Sequence, residues 1–298
     1  MTSLMSAYPL RIHSVLFITL PFAFLLNFFH LEMETQLLIA SFIISLAGLP
    51  HGAADAWLAQ RVGIISSLKD LFTFLLSYTS IAISIIFAWM ISPSISLAIF
   101  LIISAWHFGD DERLGLSLVT RFCSGVIIVS SPLLLHNNEV LSLYEILIGN
   151  YANNVLDSQI ILFIISCGYL IYNSIMSFND MRTVRNISNI MLYVILSCIM
   201  TPILYFTIYF CCAHSFQHMS RIWDMTNTKN RSKFLVAVTL LTTLVIVFAL
   251  VIYFWLIRSG INFEIVNIKV LFVGLAALAV PHILLIDVCK AADIQSPN

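Results

Sequence analysis

Long apolar runs separated by short polar breaks dominate the chain. A helix needs about 20 mostly apolar residues to cross the hydrocarbon core of a bilayer. Runs of this kind, some shorter, lie at 12–30, 36–57, 71–91, 94–109, 119–136, 159–178, 187–201, 203–224, 234–257 and 267–288. The stretch 187–224 is nearly uncharged and too long for one crossing, with Thr201-Pro202 at its middle. Proline removes a helix hydrogen bond and disfavours helix at the residue before it. The pattern therefore predicts two helices joined by a tight turn, and Ser92-Pro93-Ser94 joins the third and fourth spans likewise. The strands of an outer-membrane barrel alternate apolar and polar residues over about ten positions, and these runs are continuous instead. The expected fold is all-α, a polytopic integral membrane helical bundle of about ten transmembrane helices forming a single membrane-embedded domain over 1–298. The segment 137–158 is polar and acidic, without a basic residue, and reads as the longest loop.

Basic residues test the count, because cytoplasmic segments carry the excess of Lys and Arg. With the N-terminus inside, the inner segments hold Arg11, Arg61, Lys69, Arg113, Arg121, Arg182, Arg185, Arg221, Lys229, Arg231, Lys233 and Lys290, and the outer ones only Arg258 and Lys269. Reading 187–224 as one span would put Lys229, Arg231 and Lys233 outside. Ten spans with both termini cytoplasmic, in the cell inner (plasma) membrane, is the expectation. Arg11 precedes the apolar stretch Val15–Phe29, but His30, Leu31 and Glu32 follow in place of a small-residue cleavage site, so this reads as a retained first span.

Composition closes off other classes. Hydrophobic residues make up 60% and charged residues 10%, against roughly 25% charged in an average soluble domain. That excludes a cytosolic enzyme and a disordered chain. A net charge of -1 leaves no basic surface for nucleic acid. Cys123, Cys167, Cys198, Cys211, Cys212 and Cys289 lie in or beside apolar runs, where thiols pack as small hydrophobes rather than as a disulfide framework.

Histidines carry the chemistry. His13, His30 and His136 lie near span ends and read as interfacial. His51, His107, His214, His218 and His282 lie inside apolar runs, where an ionisable residue is costly and usually functional. All five fall on spans running from outside to inside, and at 1.5 Å per residue they share one layer within about 6 Å of depth. His214 and His218 in CCAHSFQH are four residues apart, on one helix face, and such a pair can chelate one ion. Asp55 follows His51 by four residues, and Asp110 and Asp111 follow His107 by three and four. Metal-bound histidine usually gives its other N–H to a carboxylate, which makes Asp55 and Asp110 the candidate outer partners. Asp111, Glu112 and Arg113 read as solvated loop. His282, after Pro281, is either a further ligand or a group lining the site. An imidazole set suits Fe, Zn, Cu or Ni, but not Mg or Ca.

The four stretches PHGAADAW, AWHFGDDE, AHSFQHMSRIW and VPHILLID, in this order across about residues 45–288, resemble those of the Brp/Blh-type membrane β-carotene dioxygenases. The resemblance implies a membrane-embedded catalytic domain that uses Fe(2+) and dioxygen to cleave β-carotene at its central 15,15′ double bond into two retinal molecules, the retinal serving a microbial rhodopsin. It maps the family's iron-binding histidines onto His51, His107, His214 and His218, with no catalytic residue beyond the metal centre. β-Carotene is roughly as long as the hydrocarbon core is thick, about 30 Å, so an apolar tunnel must set which double bond meets the metal. Trp106, Phe108 and Phe216 are the expected wall residues. Trp57 and Trp223 read equally well as interfacial belt and core. Alternatives are a membrane desaturase or hydroxylase, which needs more histidines in tighter clusters, and a non-enzymatic retinal-protein assembly factor.

Overall fold

A computed structural model describes residues 31–110, 115–177 and 179–295, and among them every regular element is a helix. The first rod combines α1 (Met33–Ile43), a π-helical stretch Ile44–Gly48, α2 (Leu49–Ala53) and α3 (Asp55–Arg61). Then come α4 (Leu68–Ile91), α5 (Pro93–Gly109), α6 (Leu118–Ser130), α7 (Asn137–Ile148), α8 (Ala152–Met176), α9 (Met181–Ile199) and α10 (Pro202–Ile208). A second π-helical stretch, Tyr209–Ser215, leads to α11 (Phe216–Met225), α12 (Arg231–Arg258) and α13 (Phe263–Gln295).

Among the described residues, five helical segments are long and apolar enough to cross a membrane: Met33–Arg61, Leu68–Ile91, Asn137–Met176, Thr228–Arg258 and Phe263–Cys289. Shorter apolar helices occupy Pro93–Gly109 and Leu118–Leu134. The run at 12–30, with Arg11, His13 and His30, lies outside the described residues, as do Asp111, Glu112 and Arg113. The break at Thr201-Pro202 is present: α9 stops at Ile199, Met200 and Thr201 are extended (ψ 150° and 154°), and Pro202 opens α10. The segment 137–158 is not a loop. It forms α7 and the start of α8, because Val140, Leu143, Tyr144, Leu147 and Ile148 recur at helical spacing and all are buried.

The chain divides into two compact units, one formed by 33–91 with the residues from Phe210 onward, the other by 92–209. In the second unit, α5 and α6 approach backbone to backbone. A Cβ on Gly125 would stand 1.7 Å from the Ala105 carbonyl oxygen, and one on Gly109 2.0 Å from that of Arg121. Ala105 and Gly109 of α5, four residues apart, lie against Gly125 of α6, so small residues form the seam that lets two membrane helices touch. Cys123 and Ile127 of α6, Leu170 of α8 and Ile190 of α9 form the apolar core beside it. Asn186 donates to Ser124 Oγ (3.0 Å), Gln159 to Ser130 Oγ (3.1 Å) and Tyr205 to the Ile128 carbonyl (2.8 Å). Away from water, a polar group must find such a partner inside the protein.

In the first unit, Ala54 packs with Ile222, Phe234 and Val238, and Leu58 and Ala59 pack with Ile65, Leu285 and Cys289. Arg61 donates to the Met225 carbonyl, and the Arg231 guanidinium lies 4.6 Å above the Trp223 ring. By contrast α12 exposes Leu240, Leu244, Val247, Phe248, Val251 and Phe254, as expected of a helix facing lipid. All six cysteines are free thiols.

Candidate metal centre

Four histidines from three parts of the chain converge in the first unit. His51 sits on the short α2, between the π-helical stretch and a break at Ala54 (φ −73°, ψ −8°). His214 belongs to the second π-helical stretch and His218 to α11. His282 lies within α13, directly after Pro281. The His51 ring centroid is 5.2 Å from that of His214, 5.9 Å from His218 and 5.0 Å from His282. His218 and His282 are 5.2 Å apart. The planes of these pairs meet at 80–85°, so the rings converge edge to face rather than stacking. Both π-helical stretches adjoin this cluster, and such insertions in α-helices occur frequently at functional sites.

Hydrogen bonds fix which nitrogen of two rings faces the cluster. His51 Nδ1 meets the Gly48 carbonyl, which can only accept, so Nδ1 carries the proton and Nε2 keeps its lone pair. Ser215 Oγ lies 3.1 Å from the same Nδ1. His282 Nδ1 is 2.8 and 3.0 Å from the two oxygens of Asp55, so its proton is likewise on Nδ1. Tyr78 of α4 donates to Asp55 Oδ2 at 2.9 Å, and its hydroxyl is 3.2 Å from the Leu278 carbonyl oxygen. Phe210 backs the cluster, edge-on to His51 at 5.2 Å and stacked on His214 at 5.8 Å. Gly48 makes room for it: a Cβ there would stand 2.7 Å from the Phe210 ring.

The donor set fits a metal ion. Donor atoms of His51, His214 and His282 lie within 4.8 Å of one another, as do those of Asp55, His218 and His282. Two imidazole nitrogens on opposite sides of one ion stand about 4.2 Å apart, so modest shifts bring three of them together. His218 Nε2 is buried with no hydrogen-bond partner. Leaving such a group unsatisfied costs about 1–3 kcal/mol, and a cation would satisfy it.

The other expected residues fall as follows. Asp55 is 1% exposed, and its ring partner is His282 rather than His51, whose Nδ1 turns to its own backbone. His107 is half-buried at the end of α5 in the second unit, 5.9 Å from the Phe108 ring. Asp110 is buried and pairs with Arg121 of α6. Phe108 is buried, edge-on to Tyr209 at 5.1 Å. Trp106 and Phe216 lie at the surface, 39% and 47% exposed. Sequence reasoning missed Tyr78, Gly48 and Ser215. Tyr78 is the one tyrosine of the apolar run 71–91, but Thr73, Ser77, Thr79, Ser80 and Ser84 share that run, so its hydroxyl did not stand out.

A family model described as β-carotene 15,15′-dioxygenase matches residues 42–290, a region that takes in His51, Asp55, His107, Asp110, His214, His218 and His282. The chain belongs to the β-carotene 15,15′-dioxygenase family. It is therefore an enzyme. It is similar to the β-carotene 15,15′-dioxygenase of an uncultured marine bacterium, 66A03, at 31% identity over 265 residues, covering 82% of this chain and 90% of that protein. No solved structure matches. Within this dioxygenase family match, the four converging histidines come from three separated sequence stretches, as a site assembled by folding must.

Proposed function

We propose that this protein cleaves β-carotene at its central 15,15′ double bond with dioxygen, giving two molecules of retinal. The carrying observation is a buried histidine cluster inside a chain matched over 42–290 by the β-carotene 15,15′-dioxygenase model. The reaction breaks one carbon–carbon double bond and the dioxygen bond and forms two aldehyde carbonyls, so no outside reductant is needed. Fe(2+) is the proposed cofactor, held by His51, His214 and His218, with His107 the further ligand that the family motif assigns. When bound, ferrous iron supplies the one-electron chemistry through which triplet dioxygen reacts with a closed-shell polyene.

The residues of the chain do the rest. The Gly48 carbonyl holds His51 in one tautomer. His51 and His214 are 7% and 2% exposed, so the fold keeps bulk water from their donor atoms. The apolar helices admit a lipophilic substrate from the bilayer and position it, so regioselectivity comes from placement rather than from acid–base chemistry. Ten spans, cytoplasmic termini, the cell inner membrane and retinal hand-off to a rhodopsin complete the proposal. Expression in cells that make β-carotene tests it: loss of the orange colour with appearance of retinal is expected, and unchanged carotenoid would refute it.

A further inference from the structure

Building on the proposed metal site, we infer that His282 is a nitrogen ligand of the same ion, and that Asp55 and Tyr78 are positioning residues that hold its ring. His282 is 3% exposed and belongs to both groups of converging donors. Its Nδ1–H points at Asp55, which leaves the Nε2 lone pair on the side of the other histidines. The Asp55 carboxylate has both oxygens engaged, Oδ1 by His282 and Oδ2 by His282 and Tyr78. It is thus placed to orient a ligand rather than to be one. The three residues stand on α3, α4 and α13, so the chain Tyr78–Asp55–His282 ties three helices to one ring.

Charge also favours this arrangement. A carboxylate enclosed by protein within a membrane is expensive unless a positive charge compensates it. An Asp55–His282 ion pair closed on itself would meet that need, but it would require a proton on Nε2 and leave His282 no lone pair. A neutral His282 bound to a dication meets it while keeping Nδ1–H on the carboxylate. The two arrangements differ in one measurable respect: only the second makes metal affinity depend on His282, Asp55 and Tyr78.

The full-length protein in detergent is titrated with Fe2+ without oxygen, and separately with Co2+, whose visible spectrum reports coordination. His282→Ala and His282→Gln are expected to lose most iron affinity and to change the Co2+ spectrum. His282→Gly is expected to regain iron when imidazole is added, which a packing role does not produce. Asp55→Asn and Tyr78→Phe are expected to weaken iron binding, Asp55→Asn by about 10–100-fold. Wild-type iron affinity and an unchanged Co2+ spectrum in the His282 variants would overturn the inference. Should none of these fold, Tyr78→Phe, which removes one hydroxyl, decides alone: unchanged affinity overturns it. Absence of iron binding by the wild-type protein would instead overturn the proposed function beneath it.

Discussion

Single imidazoles decide whether this chain has a site. Changing His51, His107, His214 or His218 to Ala is expected to abolish retinal formation in β-carotene-producing cells, with the protein still present in the membrane. Full activity in any one variant removes that residue from the ligand set. A subtler test is Gly48→Ala. The added methyl meets the Phe210 ring at 2.7 Å, and Phe210 contacts both His51 and His214. Overpacking of this kind costs about 1–3 kcal/mol, so a lower Tm and reduced iron content are expected together, read by thermal unfolding and metal analysis. The histidines were legible because an ionisable residue inside an apolar run stands out from its neighbours. Their partners were not. The spacing of His51 and Asp55 suggests a pair on one helix face, but the backbone breaks at Ala54 between α2 and α3. His51 takes the nearer Gly48 carbonyl, three residues back, and Asp55 turns to a histidine 227 positions away. No local pattern encodes that last contact.

At the scale of elements, hydropathy located most helices and proline the break between α9 and α10. It failed at 137–158. There Asn137, Asn138, Glu139, Asn153, Asn154 and Asp157 lower the average while a buried apolar stripe runs along α7. Mean hydropathy hides a period of 3.6, whereas the spacing of the buried positions shows it. The π-helical stretches were also invisible, since their inserted residue follows from packing rather than from composition. The seam between α5 and α6 yields the sharpest element-level prediction. Gly125→Val sets a side chain against the Ala105 carbonyl, a backbone group that cannot yield. Loss of folded protein, or a large fall in Tm, is expected by size-exclusion and thermal unfolding. Gly168→Ala on α8 has nothing within 4 Å of the new carbon. It is expected to be neutral or to gain up to about 1 kcal/mol from helix propensity.

Across the whole molecule, the proposed orientation rests on where the basic residues lie. Lys229, Arg231 and Lys233 flank the turn that opens α12, and Arg258 closes it before Gly260, whose φ of +83° suits the sharp reversal into α13. Single cysteines placed at Asn227 and at Ser259, in a chain with its own cysteines replaced, are expected to label from opposite sides of intact cells. Asn227 should be reachable only from the cytoplasm; labelling of both from one side would break the proposed ten-span topology. Activity belongs to this scale too, since the ligands proposed for one ion are drawn from residues 51 to 282 of the sequence. The purified protein loaded anaerobically with Fe2+, then given β-carotene and air, tests the central claim most directly through retinal formed per β-carotene consumed. Two retinals for each β-carotene are expected, only with iron bound at about one per chain. Retinal formed without iron, or unaltered β-carotene beside a fully iron-loaded protein, would contradict the account.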